Sequence, residues 1–342
     1  MTEIRLTLPN SEYTITIGRG ILSDAGKYMN LDRRVFIVTD SGVPKEYAKK
    51  IAACCRYAAI YTVDQGECSK SPEVLEGVLS AMLEYGMTRT DCAVAVGGGV
   101  VGDLTGFAAA IYMRGIDFYN VPTTLLSQVD SSIGGKTAIN LRGVKNIVGA
   151  FHQPRAVLID TDTLKTLNKR QYAAGLAESV KMAATFDKDL FEFFEKNEIN
   201  ESNIEHVIAS SLEIKRYVVE RDEKESGLRK VLNFGHTFGH GIEAEEELTG
   251  MYHGECVALG MLPVCSDGVR ERLVPVLKKL GLPTEYTGSI GAALDTVRYD
   301  KKCEGKDISV IFCDEIGSFR IEKMSVFDFE DLVTARMSRG VK

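Results

Sequence analysis

The fold is constrained most by an apolar run, CAVAV at residues 92–96, that leads directly into three glycines at positions 97–99. A short apolar run that ends in glycine predicts a buried strand, and the segment LTGFAAAIYM after it predicts a helix. A strand, a glycine turn and a helix together present free backbone N–H groups at a helix N-terminus, where a phosphate group is stabilised. The sequence therefore predicts a phosphate-binding turn at this point.

The same glycine-rich stretch continues to Asn146, and its charged residues include Arg114, Asp130, Lys136 and Lys145. The chain as a whole is acidic, with a formal net charge of −7 over 342 residues. Non-specific nucleic-acid binding needs a basic face, which this balance does not favour. A local cluster of Lys and Arg must then bind any anionic ligand. We expect a small anionic molecule and no nucleic-acid partner.

Cysteine usage and hydropathy bear on the location of the protein. The eight cysteines include the adjacent pair Cys54 and Cys55 and show no CxxC spacing, which predicts reduced thiols. The first residues, MTEIRLTLPN, alternate in polarity and do not resemble a signal peptide. The sequence has no apolar run of about 18 residues, the length that a membrane-spanning helix needs. We expect a cytoplasmic protein without a membrane partner.

The first half of the chain alternates predicted strands with predicted helices. Apolar residues of period two on both sides of Pro9 and Asn10 predict a hairpin. Further strands are predicted at residues 34–40, 58–63, 92–96 and 155–160, with helices at 45–55 and 71–85. This alternation predicts a mostly parallel sheet, an α/β nucleotide-binding fold of Rossmann-like type. Ligands bind beyond the carboxyl ends of such strands, where Asp40, Glu67 and the glycine turn would share one crevice.

From about residue 171 the pattern changes to long helices, predicted at residues 172–196, 203–220, 228–248 and 255–279. We place a domain boundary near residue 170. The prediction is an α/β NAD-binding domain at 1–170 and a helical, all-α domain that binds metal and substrate at 171–342. The tail at residues 308–321 is expected to add a short hairpin.

A second constellation lies in LRKVLNFGHTFGHGIE. Arg229, Asn233, His236 and His240 are spaced by four, three and four residues, so they share one face if the segment is helical. Each interspersed glycine should cost the helix about 1 kcal/mol relative to alanine, which indicates that another backbone or a ligand approaches closely. His253 follows in HGECVALG. The cluster of histidines favours a metal site.

Two histidines, one carboxylate and an open position form a catalytic zinc arrangement. The sequence leaves the carboxylate open among Glu178, Glu243 and Glu255. Glu178 lies among small apolar residues, three positions before Lys181. This pair is either a surface ion pair worth a few tenths of a kcal/mol or a buried one, and a buried Glu needs a partner such as a metal.

Together these motifs resemble one family, the 3-dehydroquinate synthases of the shikimate pathway. The resemblance extends from about residue 40 to residue 302 and is carried by GGGVVGDLTGF, YMRG, VPTTLLSQVDSSIGGKTAIN, VKN, GLAESVKMA, VLNFGHTFGH, HGE and DKK. It implies an N-terminal nucleotide-binding domain that is not a standard Rossmann unit, a helical C-terminal domain, an active site between them, and a homodimer.

The resemblance also implies the roles of individual residues. The metal, zinc or cobalt, would be bound by Glu178, His236 and His253, which leaves His240 for the substrate. NAD would contact Asp40, Glu67, Lys70, Gly98, Gly99, Val100, Asp103, Thr123, Thr124, Lys136, Lys145, Thr163, Thr166 and Leu167. The substrate would contact Arg114, Asp130, Lys136, Lys145, Asn146, Lys181, Lys215, Arg229, Asn233, His240 and Lys301, with Lys302 as the alternative to Lys301.

The implied reaction converts 3-deoxy-D-arabino-heptulosonate 7-phosphate to 3-dehydroquinate and phosphate. It proceeds by transient oxidation with NAD, β-elimination of phosphate, re-reduction, ring opening and intramolecular aldol closure. Three alternatives stay open. The chain could be another sugar-phosphate cyclase, acting on sedoheptulose 7-phosphate or glucose 6-phosphate. It could be a metal-dependent polyol dehydrogenase with a similar glycine loop, or a binding module that retains the fold without turnover.

Overall fold

The computed structural model of the protein describes residues 1–245, 250–301 and 307–337, and for residues 298–301 only the backbone. The chain divides into two compact units. Unit 1 contains Met1–Asn168 and Lys215–Glu223, and unit 2 contains Lys169–Ile214 and Lys224–Lys342. Among the described residues, no helix has both the length and the apolar character that crossing a membrane requires.

Unit 1 contains a seven-stranded sheet with the order β1-β2-β9-β6-β5-β3-β4. Only β1 and β2 pair antiparallel, and all other neighbours in this sheet are parallel. The predicted mostly parallel sheet is confirmed. The strands of unit 1 are β1 Thr2–Leu8, β2 Ser11–Gly18, β3 Arg34–Asp40, β4 Tyr57–Val63, β5 Cys92–Gly97, β6 Asp117–Pro122, β7 Lys136–Leu141, β8 Val144–Phe151 and β9 Ala156–Asp160.

Two apolar cores cover the two faces of this sheet because successive residues of a strand point to opposite sides. In β5, Ala93 and Ala95 belong to one core, whereas Val94 and Val96 belong to the other. Residues on both sides are fully buried, which explains why the strand is a continuous apolar run. The helices of unit 1 are α1 Lys45–Ala53, α2 Pro72–Glu84 and α3 Gly99–Ile111.

Three strands of unit 1, β6, β7 and β8, were not predicted from the sequence. Strands β7 and β8 form a separate antiparallel hairpin that packs against α3. Apolar side chains of β8 are exposed, with Ile147 at 61% and Val144 at 47%. Periodicity therefore does not distinguish this strand from a loop.

In its described residues, unit 2 is helical apart from one hairpin, β10 Asp307–Phe312 with β11 Arg320–Ser325, which agrees with the hairpin predicted near residues 308–321. Its helices are α4 Lys169–Phe186, α5 Lys188–Lys196, α6 Ile204–Arg221, α7 His236–Glu245, α8 His253–Met261, α9 Asp267–Lys279, α10 Ile290–Lys301 and α11 Val326–Met337. The last part of α6 lies in unit 1.

Two of the long helices predicted from the sequence are each divided into two helices in the structure. The prediction at residues 172–196 was wrong because Asp187 ends α4 and caps α5, its Oδ1 accepting from the N–H of Leu190 at 3.0 Å. The prediction at residues 255–279 was wrong because a 3₁₀ turn containing Pro263 separates α8 from α9. The apolar periodicity continues across both breaks and therefore does not reveal them. An N-capping Asp and a Pro each end a helix in spite of this periodicity.

Candidate functional sites

Three helices of unit 2 bring Glu178, His236 and His253 together. Glu178 lies in the middle of α4 and is completely buried, whereas the two histidines begin α7 and α8. The Nε2 atoms of His253 and His236 lie 3.4 and 3.7 Å from Oε1 of Glu178. The ring centres of these two histidines are 5.1 Å apart. One carboxylate oxygen and two imidazole nitrogens therefore face a common point.

Close backbone contacts make this convergence possible. A Cβ atom at Gly254 would lie 1.9 Å from the backbone oxygen of Ala174 in α4. A Cβ atom at Gly260 would lie 1.9 Å from the backbone oxygen of Gly235, just before α7. Only glycine allows α8 to lie this close to both neighbours. The close approach inferred from the interspersed glycines of the histidine segment is also observed, since a Cβ atom at Gly239 would lie 3.0 Å from the backbone oxygen of Cys256 and one at Gly241 would lie 2.3 Å from that of Ala293.

The Glu178 carboxylate fits a metal ligand. Neither of its oxygens accepts a hydrogen bond of good geometry from the described residues, although the Lys181 ammonium forms a close ion pair with Oε2. Burial would raise the pKa of Glu178, but Lys181 and His236 hold this pKa well below its ordinary value. The group is thus an ionised, buried carboxylate that is paired with one ammonium group and accepts no hydrogen bond of good geometry from the described residues, which suits it to bind a metal ion as well.

The outer nitrogens of both histidines are fixed by other groups. His253 Nδ1 lies 2.9 Å from Oε2 of Glu243, and His236 Nδ1 lies 3.1 Å from the backbone oxygen of Phe234. Burial lowers the pKa of His253, but Glu178 and Glu243 raise it to about 10. Without a metal ion His253 is therefore protonated on both nitrogens, and metal binding would displace the Nε2 proton. The acceptor at Nδ1 would then keep the remaining proton there and leave the Nε2 lone pair facing inward, as in known metal centres.

The structure distinguishes the three glutamates that the sequence offers as candidates for the carboxylate ligand. Glu243 contacts the outer nitrogen of His253, and Glu255 forms a two-pronged ion pair with Arg170 at 2.5 and 2.6 Å. Glu178 alone of the three faces the inner nitrogens of His236 and His253. The geometry therefore favours Glu178 as the carboxylate ligand.

His240 is exposed and lies beside this cluster. The candidate ligand atoms of His236, His240 and His253 all lie within 4.8 Å of one another. The expectation that Arg229, Asn233, His236 and His240 share one helix face was wrong, because residues 228–233 form a 3₁₀ turn and Gly235 has a φ of 78°. Arg229 is buried, and the Asn233 side chain donates to Glu225 at 2.6 Å.

In unit 1, most of the predicted nucleotide contacts follow the carboxyl ends of parallel strands, whereas Lys136 and Lys145 lie on the β7–β8 hairpin. Asp40 ends β3, Glu67 follows β4, and Gly98, Gly99, Val100 and Asp103 follow β5 at the start of α3. Thr123 and Thr124 follow β6, and Thr163, Thr166 and Leu167 follow β9. These strands end at one edge of the sheet, where ligands of such folds bind.

Side chains at this edge form a connected network around Lys70. Lys70 is buried, and its ammonium donates to Asp103 at 2.7 Å and to the side-chain oxygen of Asn146. Burial raises the pKa of the Asp103 carboxyl, while Lys70 opposes the rise. Sequence reasoning missed Asn140, which donates to Glu67 at 2.9 Å. Nothing in residue spacing indicates this contact.

The substrate contacts implied by the resemblance are only partly brought together within unit 1. Lys215 lies 2.5 Å from Oδ1 of Asp130 and donates to the backbone oxygen of that residue at 2.7 Å. Arg114 follows the C-terminal end of α3 and precedes β6, so it lies at the opposite edge of the sheet from the glycine turn. Lys136 and Lys145 are exposed residues of the hairpin.

The last implied substrate contact is at the edge of the described chain. Lys301 ends α10, but its side chain is outside the described part, and the alternative, Lys302, lies outside the described residues altogether.

The mostly parallel sheet of unit 1 and the candidate metal site on the helices of unit 2 define a class of proteins, and solved structures share this fold. A structure of 2-deoxy-scyllo-inosose synthase complexed with carbaglucose-6-phosphate, NAD+ and Co2+ matches with a TM-score of 0.89 and 24% identity, covering 98% of this chain and all of that one. ValA, 2-epi-5-epi-valiolone synthase from Streptomyces hygroscopicus with NAD+ and Zn2+ bound, matches with a TM-score of 0.86 and 25% identity, covering 97% and 99%.

Sequence comparison identifies the family. Residues 60–174 match the 3-dehydroquinate synthase N-terminal domain, and residues 175–303 match the 3-dehydroquinate synthase C-terminal domain. The 3-dehydroquinate synthase of Streptococcus sanguinis is 39% identical over 352 residues, covering 97% of this chain and 99% of that one. The enzyme of the same name from Caldanaerobacter subterraneus is 40% identical, covering 95% and 97%. The chain belongs to the 3-dehydroquinate synthase family.

Proposed function

We propose that this chain converts 3-deoxy-D-arabino-heptulosonate 7-phosphate to 3-dehydroquinate and phosphate, with NAD+ and a divalent metal, zinc or cobalt. The observation that carries the proposal is the buried Glu178 carboxylate, which faces two imidazole nitrogens and accepts no hydrogen bond of good geometry from the described residues. A chain that retained the fold as a binding module would have no need for an ionised carboxylate in this position. Relatives about 40% identical over nearly the full length bear the name of this activity.

The metal would be held by Glu178, His236 and His253, and NAD+ by the strand ends of unit 1. When bound, the metal supplies a Lewis acid that favours ionisation of a hydroxyl group, and NAD+ supplies a reversible hydride acceptor. Support for this pair of cofactors comes from the two structural neighbours, which contain NAD+ with Co2+ or Zn2+.

The residues of the chain itself would bind and orient the substrate. Lys181 and Arg229 are buried cations, suited to the carboxylate and phosphate groups of the substrate. Asp130, held by Lys215, can accept a hydrogen bond from a substrate hydroxyl. His240 is exposed beside the metal cluster and can exchange a proton with the substrate. Holding a flexible molecule in one conformation accounts for a large part of the rate in such reactions.

The proposal includes a homodimer that acts in the cytoplasm. Arg114 lies at the far edge of the sheet of its own chain, so it would reach a substrate only if a second copy supplied it. The seven cysteines with described side chains are free thiols, as a reducing compartment maintains them. Sedimentation and cell fractionation would test these two statements.

The decisive assay measures phosphate release from the heptulosonate phosphate while absorbance reports NADH, with and without a chelator. We expect release that the chelator abolishes and no accumulation of NADH. Glu178→Gln should reduce release about 100-fold or more, whereas Glu192→Gln, a change at an exposed pair on α5, should not. Steady NADH accumulation would show a polyol dehydrogenase instead. Release from sedoheptulose 7-phosphate or glucose 6-phosphate alone would show a different cyclase.

A further inference from the structure

One asparagine in unit 1 connects two residues for which different ligands are proposed. The side-chain N–H of Asn140 donates to Oε1 of Glu67 at 2.9 Å, and its side-chain oxygen accepts from the backbone N–H of Asn146 at 2.8 Å. The orientation of the amide is fixed chemically, because a carboxylate only accepts and a backbone N–H only donates. Glu67 is a proposed NAD contact, and Asn146 is a proposed substrate contact. A single amide group lies between them.

An irregularity in the hairpin places the amide there. The register of β7 and β8 shifts between Ile139 and Leu141, so Asn140 has no partner in the ladder. Its backbone N–H donates instead to the backbone oxygen of Lys70 at 2.8 Å. A bulge of this kind redirects a side chain. Here it directs the Asn140 amide towards Glu67 and Asn146.

Asn146 depends on these contacts for its conformation. Its φ of 56° is left-handed, a region that asparagine tolerates but few side chains favour. Asn140 holds its backbone N–H, and Lys70 holds its side-chain oxygen. The Lys70 ammonium also lies 3.8 Å from the Glu67 carboxylate. A shift of Glu67 on nucleotide binding would therefore be transmitted to Asn146 through Asn140 and Lys70.

We propose that Asn140 is a positioning residue that couples NAD binding at Glu67 to substrate binding at Asn146. The inference rests on the proposed function, from which it takes both ligands. Coupling between two sites is reciprocal, so NAD+ should tighten substrate binding by the same factor by which the substrate tightens NAD+ binding. A residue that only stabilised the hairpin would leave this factor unchanged.

Titration calorimetry tests the coupling with NAD+ and a phosphonate analogue of the substrate, which cannot eliminate phosphate. In the wild-type chain, a saturating concentration of the analogue should lower the Kd of NAD+ about fivefold or more. In Asn140→Leu, which keeps the size of the side chain without its polar atoms, the ratio should approach one. A wild-type ratio in this variant would overturn the proposal.

A second variant, Asn140→Asp, tests which partner donates and which accepts in the contact between Asn140 and Glu67, and it keeps a polar side chain at residue 140. Asn140→Asp places two carboxylates together and should weaken the coupling. Adding Glu67→Gln exchanges donor and acceptor, so the hydrogen bond can form again and the coupling ratio should recover, even if NAD+ itself binds more weakly. The lack of any recovery would contradict the role of Asn140.

A charge control and the activity assay complete the design. Asn200→Asp adds the same charge at an exposed turn of unit 2 and should keep the wild-type ratio. Phosphate release by a wild-type chain that shows no coupling would refute this inference alone. A wild-type chain that bound neither ligand would refute the proposed function together with it.

Discussion

Replacing Gly254 with alanine tests whether the metal cluster depends on the contact between α4 and α8. The added Cβ would lie 1.9 Å from the Ala174 oxygen, so the helices would have to separate by about 1 Å or more. The atom in the way belongs to the backbone and cannot rotate aside. Overpacking of this kind costs about 1–3 kcal/mol or more, against about 1 kcal/mol gained in helix propensity. Because His253 directly precedes Gly254, the separation should also move His253 away from Glu178.

Gly268 provides a matched control, since it is the second residue of α9 as Gly254 is the second residue of α8. A Cβ at Gly268 would meet nothing within 4 Å, so Gly268→Ala should stabilise the protein by up to about 1 kcal/mol. Urea unfolding gives the stabilities, and competition with a chromophoric chelator gives the zinc Kd of the metal-free chain. We expect Gly254→Ala to be less stable and to bind zinc at least about tenfold more weakly. Equal stabilities and an unchanged zinc Kd would refute the reasoning.

Two further predictions concern single carboxylates. Glu243→Ala should weaken zinc binding about 10- to 100-fold, because His253 loses the acceptor that orients it. Glu243→Gln should lose less zinc affinity than Glu243→Ala in the same chelator competition. Equal losses of zinc affinity in the two variants would contradict an orienting role for Glu243. Burial would raise the pKa of Asp117, but hydrogen bonds from Arg33 and Arg155 lower it. Asp117 therefore stabilises the fold above about pH 4, and this contribution is lost as the pH falls through the folded pKa. Urea unfolding of Asp117→Asn should show a deficit at pH 7 that shrinks towards pH 3, and a deficit independent of pH would contradict this cause.

The buried strands that are continuous apolar runs are the part of the fold that the sequence predicts best, whereas the buried strand β6 contains Asn120 and was not predicted. Strand β3 is found at the predicted residues 34–40, because a strand covered on both faces is a continuous apolar run. The β7–β8 hairpin escapes prediction for the opposite reason. Ile147 and Val144 are apolar but exposed, so burial does not follow the polarity of this segment.

The candidate metal site is predictable as a set of residue types but not as a geometry. Histidine spacing indicates a cluster, yet spacing cannot show which nitrogen of His253 faces Glu178 and which faces Glu243. That distinction depends on how closely three helices approach one another. Asn140 gives no signal at all, because its role depends on a register shift between two strands.

The two candidate sites depend on different physical properties, and the same kind of substitution should affect them differently. Around Glu178, the ligands lie on helices held close by glycines, so added volume does the damage. Around Lys70, the side chains are linked by donors and acceptors, so a change of polarity at constant volume does the damage. A methyl group at Gly254 and an oxygen-for-nitrogen exchange at Asn140 are each minimal changes. The change at Gly254 would disturb close helix packing without altering hydrogen-bond donors and acceptors. The change at Asn140 would alter a donor without adding volume.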